Sequence, residues 1–168
     1  MLEALSCVYS GIPEDASRRL AQAVQTHQRI FVCGAGRSRL MLMAFAMRLT
    51  QMSYTAFVAG DVTTPAITAD DLLVIASASG TTHGVCHCAE VAQKCGADLF
   101  FISTRSESPL AALHPVDVLI PAPSKAGGDD DRYPMGTLFE QALLLLLDDA
   151  IAALPFDPQI RMRHANLE

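Results

Sequence analysis

No basic cluster longer than a pair occurs in this sequence. Only 18% of its residues are charged, and the net charge is −6. Such a chain lacks the positive field of a general nucleic-acid or anionic-membrane surface, so no nucleic-acid or membrane partner is expected. Any anionic ligand must be held by a local site. Long hydrophobic runs are missing too. Near the C-terminus the longest, Ala142–Leu147, closes at Asp148 and Asp149, far short of the roughly 20 apolar residues that span a bilayer. The start, "MLEALSCVYS", has no basic residue followed by a hydrophobic run, so no secretory leader is expected. Cysteine is scarce and odd in number: Cys7, Cys33, Cys86, Cys88 and Cys95. With no leader, that pattern suggests reduced thiols and a cytoplasmic protein. There is no repeat at solenoid spacing, no G-x-x-x-x-G-K-[ST] phosphate loop and no H-E-x-x-H zinc motif.

What the chain has is apolar residue, 51% over a length of 168. That is enough for one domain, 1–168, with a large core. The remaining surface is apolar enough to suggest self-association. Five short apolar segments read as strands: Arg29–Cys33, Tyr54–Val58, Leu72–Ala76, Asp98–Ile102 and Asp117–Pro121. Most are apolar on both faces, the pattern of a buried parallel sheet. Helical patterns are predicted over Pro13–His27, Ser38–Gln51, Thr82–Cys95, Ser108–Leu113 and Pro134–Leu154, the last with its proline suited to a first turn. Residues 1–28 form an N-terminal helical segment. Residues 157–168 form a polar tail free to pack on a partner subunit. The alternation gives an α/β three-layer sandwich with a doubly wound, five-stranded parallel sheet. "PAPSKAGGDDDRYP", 121–134, is a polar loop, and Asp129–Asp131 its solvated centre.

Two strands end in turns that open helices, Cys33-Gly-Ala-Gly-Arg-Ser38 and Ser77-Ala-Ser-Gly-Thr-Thr82. Gly34, Gly36 and Gly80 let the backbone approach a ligand. Helix starts offer free N–H groups to an anion. Ser38, Ser77, Ser79 and Thr82 add neutral donors, so the pair reads as a cradle for a phosphate monoester. The competing reading is that these serines only cap helices. A dinucleotide site fits less well, because Arg39 stands where a third glycine would be.

The blocks "IFVCGAGRSRLMLMAFAMRLTQM", "TTPAI", "DLLVIASASGTT", "PMGTLFEQALLLLLD" and "RHANLE" together resemble the 6-phospho-3-hexuloisomerase family of SIS (sugar isomerase) domains. The resemblance implies interconversion of 3-hexulose 6-phosphate and fructose 6-phosphate, serving formaldehyde fixation by the ribulose monophosphate route or pentose supply in reverse. It implies a homotetramer with no metal or organic cofactor. By position, Ser38, Ser77, Ser79 and Thr82 would bind the 6-phosphate, with Gly36, Arg37 and Gly80 in the same turns. Two positions depart from the family: Arg39 replaces its usual glycine and Thr81 its usual glutamate.

Moving a carbonyl from C3 to C2 needs a base that carries a proton between those carbons through a cis-enediol. Glu140 is the candidate, near the start of the last helix and flanked one turn on by Leu143 and Leu144. Alternatively it pairs with an arginine such as Arg48 and only fixes packing. His164, in "RMRHANLE", is by the same resemblance a second catalytic group that exchanges protons with substrate hydroxyls or assists ring opening. Thr63 and Thr64, after the second strand, are expected to wall the sugar, or simply to form a βα turn. His83 and His87 stand four apart on one helix face with Cys86 close by, but C-x-C without a second pair, at Cys86 and Cys88, is a weak metal pattern, so no metal is expected and the cysteines read as buried small apolar groups. Two further functional readings stay open: a sensor that binds phosphosugar without turnover, and an isomerase of a different sugar phosphate.

Overall fold

The computed structural model describes residues 1–123 and 133–164. In chain order the elements are α1 (Leu2–Ser10), α2 (Ala16–Gln25), β1 (Arg29–Gly34), α3 (Gly36–Gln51), β2 (Thr55–Val58) and β3 (Asp71–Ala76). Then come α4 (His83–Lys94), β4 (Asp98–Ser103), α5 (Pro109–Leu113), β5 (Val118–Leu119) and α6 (Thr137–Ala152). Single 3₁₀ turns occupy Pro134–Gly136 and Ile160–Arg163. The strands form one sheet in the order β2-β1-β3-β4-β5, every pair parallel. The expected three-layer α/β sandwich is the fold.

The strand residues explain the layers. Side chains alternate between the faces of a strand, and here both faces are apolar. Ile30 and Val32 of β1, Leu72 and Val74 of β3 and Phe100 and Ile102 of β4 pack with α1, α2, α3 and α6. Their neighbours Phe31, Leu73, Ile75 and Phe101 pack with α4 and α5 on the other side. At the N-terminal end of the sheet Arg29 clamps β1 to β3. Its Nε and Nη2 donate to the two Asp71 carboxylate oxygens at 2.7 and 2.6 Å.

Several expected boundaries move; α3 starts at Gly36 and not Ser38, and the following changes matter most. The segment predicted as Pro13–His27 starts at Ala16, and a separate α1 precedes it, because Gly11 and Pro13 interrupt the helix between them. The last strand is only two residues long. Pro134 does not open the final helix. Met135 and Gly136 take left-handed φ of 62° and 85°, so the proline sits in its own 3₁₀ turn and α6 begins at Thr137. Asp129–Asp131 and the last four residues lie outside the described residues. No described helix is long and apolar enough to cross a membrane.

Candidate functional site

In a doubly wound sheet, ligands bind beyond the carboxyl ends of the strands where the order reverses. Here that point is fixed by the connections. From β1 the chain passes through α3 to β2 on one side, whereas β3 lies on the other side of β1 and leads through α4 to β4. The crevice between the ends of β1 and β3 holds a cavity of about 330 Å³, within the usual range of small-molecule sites. Ala35 and the first turn of α3, Gly36 and Ser38, line it after β1, and Ala76 at the end of β3, with Ser77–Ser79 and Thr82 of the turn beyond, line it after β3. Met135, Gly136, Phe139 and Glu140 close it from the start of α6. A wider groove of about 600 Å³ lies at the opposite ends of the strands. Its acids are already engaged, Asp98 with His27 at 3.0 Å and Asp117 with His114 at 2.9 Å.

The capping reading of the serines is not what the geometry shows. Ala35 caps α3 and Thr82 caps α4, and neither start carries a side-chain cap bond. Instead, the hydroxyls serve the turn. Ser77 Oγ accepts from Gly80 N at 3.2 Å. Ser79 Oγ accepts from Thr81 N at 3.3 Å and from the Thr81 hydroxyl at 2.9 Å. Bonds of this kind use the serine lone pairs and leave their O–H protons to donate outward. Gly36 and Gly80 adopt φ of +55° and +62°. At Gly80 a Cβ would meet Ser108 Oγ at 2.1 Å, so this turn closes only around glycine.

Glu140 stands in the first turn of α6, 4% exposed. The N-terminal end of a helix favours its charge. An arginine does pair with it, as the structural alternative from sequence allowed, but it is Arg37 and not Arg48. Nε of Arg37 stands 2.6 Å from Glu140 Oε2. The N–H does not point along that line, so this buried oxygen accepts no aligned hydrogen bond. Arg48 lies farther along α3 and donates to the Gln51 side chain at 2.8 Å. The cavity therefore sets two uncapped helix starts and a row of hydroxyl donors against one sealed carboxylate.

The SIS domain family pattern matches residues 24–145. The chain belongs to the SIS domain family. A 3-hexulose-6-phosphate isomerase of Mycobacterium gastri is 45% identical over 163 residues, covering 93% of this chain and 81% of that one. The protein of the same description from Methylomonas aminofaciens is 34% identical, with coverage of 98% and 94%. A hypothetical protein of Methanococcus jannaschii, whose crystal structure infers a molecular function of 3-hexulose-6-phosphate isomerase, superposes with a TM-score of 0.83 at 26% identity. That match covers 99% of this SIS domain and 98% of its counterpart.

Not every expected residue reaches the crevice of this SIS domain. Thr63 is exposed on the loop after β2. Thr64 lines a different cavity, and its hydroxyl donates to the Val58 carbonyl at 2.6 Å, the ordinary turn role. His164 follows Arg163, whose guanidinium donates to the Gln51 carbonyl at 2.9 Å. Gln51 ends α3, roughly 22 Å along the helix from Gly36 at 1.5 Å per residue. Within one chain, His164 and the cavity are at opposite ends. Arg39 pairs with Asp61 and does not line the cavity. The cysteines are not uniformly buried: Cys7 and Cys95 are exposed. Sequence reasoning missed Met135, Gly136 and Phe139 as lining. The glycine after Met135 was the local signal for a backbone break there.

Proposed function

We propose that this SIS domain is an isomerase that interconverts 3-hexulose 6-phosphate and fructose 6-phosphate by proton transfer through a cis-enediol. The naming of its relatives supports the substrate class. The observation that carries the mechanism is Glu140, sealed from solvent and facing two uncapped phosphate-type turns across one cavity. In this reading the phosphate dianion rests on the starts of α3 and α4, with Ser38, Ser77, Ser79 and Thr82 donating to it and Gly36 and Gly80 permitting the approach. The ester thereby presents C2 and C3 to α6. Glu140 removes the C2 proton of the 3-ketose and returns it at C3, while the O2 proton passes to O3 across the cis-enediol. Arg37 balances the carboxylate charge at the rim. General-base catalysis of this type contributes about 10²–10⁴-fold.

His164 takes part in this scheme only if contributed by a neighbouring subunit, which makes a homo-oligomer, a tetramer by family resemblance, part of the proposal. The reaction needs no metal or organic cofactor, since one carboxylate moves the proton. The substrate class fits a cytosolic enzyme. In deuterium oxide, the wild-type protein is expected to exchange the carbon-bound proton of fructose 6-phosphate and to generate the 3-keto isomer. Glu140→Gln loses both while keeping its affinity for the ester. A wild-type protein that binds fructose 6-phosphate without exchange is a sensor, and the isomerase reading then fails.

A further inference from the structure

The turn ahead of α6 is left-handed at two residues in succession. Met135 has φ 62° and ψ 24°, Gly136 has φ 85° and ψ 21°, and the Thr137 N–H closes the turn on the Pro134 carbonyl. The Thr137 hydroxyl donates to the same carbonyl at 2.7 Å. Those angles are close to a type I′ turn, whose first central position favours glycine, asparagine or aspartate. Here that position holds a methionine, which the left-handed region strains.

Among the described residues, the other left-handed non-glycine is Ser53. Its conformation has a structural reason. Ser53 stops α3 in a Schellman arrangement, with the Tyr54 N–H on the Leu49 carbonyl at 2.9 Å and the Ser53 N–H on the Thr50 carbonyl at 3.1 Å. Met135 stands before a helix and ends none. Glycine or asparagine would make the same turn with less strain, so the reason for a methionine lies in its side chain. Met135 lines the crevice on the α6 side with Glu140, yet it is 65% exposed. Phe139, the other large apolar side chain of that lining, is fully buried already. Among the described residues, Met135 is therefore the one large apolar side chain of the crevice with surface left to cover. A thioether has no proton to donate to a phosphate, so what it suits is carbon.

We propose that Met135 covers the carbon chain of the bound ester and so selects a sugar phosphate over free phosphate. This rests on the isomerase reading of the crevice. Turns that hold only a phosphate group hold inorganic phosphate as well. Telling the two apart needs contact with carbon, and the flexible, polarisable methionine side chain supplies it from the wall opposite the turns. Local stability is given up at the turn in exchange for that contact.

The test is calorimetric titration of the full-length wild type and its Met135 variants with two probes, fructose 6-phosphate and inorganic phosphate. Met135→Gly and Met135→Asn suit the left-handed turn, so their melting temperature is expected to hold or rise. Their affinity for fructose 6-phosphate is expected to fall at least about fourfold, the worth of one buried methylene, while that for inorganic phosphate stays. Met135→Leu keeps the apolar bulk and should retain most of the selectivity. An unchanged ratio of the two affinities in the glycine and asparagine variants overturns the proposal, and is the result if a second copy of the chain covers Met135 in place of the ligand. An equal loss for both probes also overturns it, because Met135 then only supports the turns. Wild-type protein that binds neither probe sinks the isomerase reading and this proposal together. Wild-type protein that binds both, with a ratio no variant alters, sinks this proposal alone.

Discussion

A carboxylate oxygen sealed in the protein with no aligned donor is rare, because an unmet buried acceptor is costly. Glu140 Oε2 is in that state, and Arg37 compensates only its charge. A purely structural glutamate would be expected to accept an aligned bond from its arginine. On the proposed function, a cavity-lining carboxylate whose arginine balances its charge without an aligned bond suits a proton carrier. In Glu140→Gln the shape is retained and the base removed, so kcat is expected to fall about 10²–10⁴-fold with KM nearly unchanged. Steady-state rates in the direction of fructose 6-phosphate formation check this, and a parallel rise in KM would move Glu140 from chemistry to binding. Ser79 tests the other wall. Its acceptor side is used by Thr81, so what an alanine removes is the outward O–H. Losing one hydrogen bond to a charged group costs about 1.5–3 kcal/mol, so Ser79→Ala should weaken ester binding about tenfold to a hundredfold. An unchanged dissociation constant in calorimetry would make Ser79 a turn residue only.

Elements impose constraints that no single residue reveals. The turn between β3 and α4 is locked to the cap of α5. Ser108 Oγ, which a Gly80 Cβ would strike, accepts from Ala111 N at 3.0 Å and so caps that helix. Gly80→Ala must strain a left-handed residue, at about 1–2 kcal/mol, and displace a cap worth about 1 kcal/mol. A lower melting temperature and weaker ester binding are expected together. Adding Ser108→Gly should recover part of the stability, by removing the clash but not the strain. At the far end of the sheet, burial alone would raise Asp71, but Arg29 and the Thr68 backbone and hydroxyl outweigh it and hold the carboxyl below the usual range. A depressed carboxylate adds stability above its unfolded value, near 3.9. That stability fades as pH falls through the lower folded value. Asp71→Asn should therefore melt below wild type at pH 7, with the gap closing in acid. A gap that stays constant down to pH ~2 would contradict the linkage. The strands and both glycine- and hydroxyl-rich turns were legible in the sequence because glycine, hydroxyls and β-branched runs are local signals. The Met135–Gly136 break was not, since a proline ahead of a helical pattern reads as a helix start. Nor was the Arg37–Glu140 pair, which exists only once α3 and α6 lie side by side.

At the scale of the molecule, the proposed function asks a chain of net charge −6 to bind a dianion against its own field. The means on offer are local: the crevice is where two strand-to-helix connections, two helix starts and the head of α6 converge. Strand order creates that convergence, and the doubly wound pattern expected from sequence was enough to anticipate it, whereas the placement of His164 at the remote end of α3 depends on how the tail packs. Because the site is assembled from segments far apart in sequence, it exists only in the folded chain, and an ester that fills it must stabilise the fold. A ligand at a hundred times its dissociation constant adds about 2.7 kcal/mol. For a domain of this size each kcal/mol is worth about 2–4 °C, so fructose 6-phosphate should raise the melting temperature by about 5–11 °C. Measured on Glu140→Gln, which cannot turn the sugar over, the shift reports binding alone. Fructose without its phosphate should produce almost none of it, and Ser79→Ala should lose part of it. Equal shifts from fructose and its 6-phosphate would mean that the two turns do not hold the phosphate, and the orientation of C2 and C3 toward α6 would lose its basis.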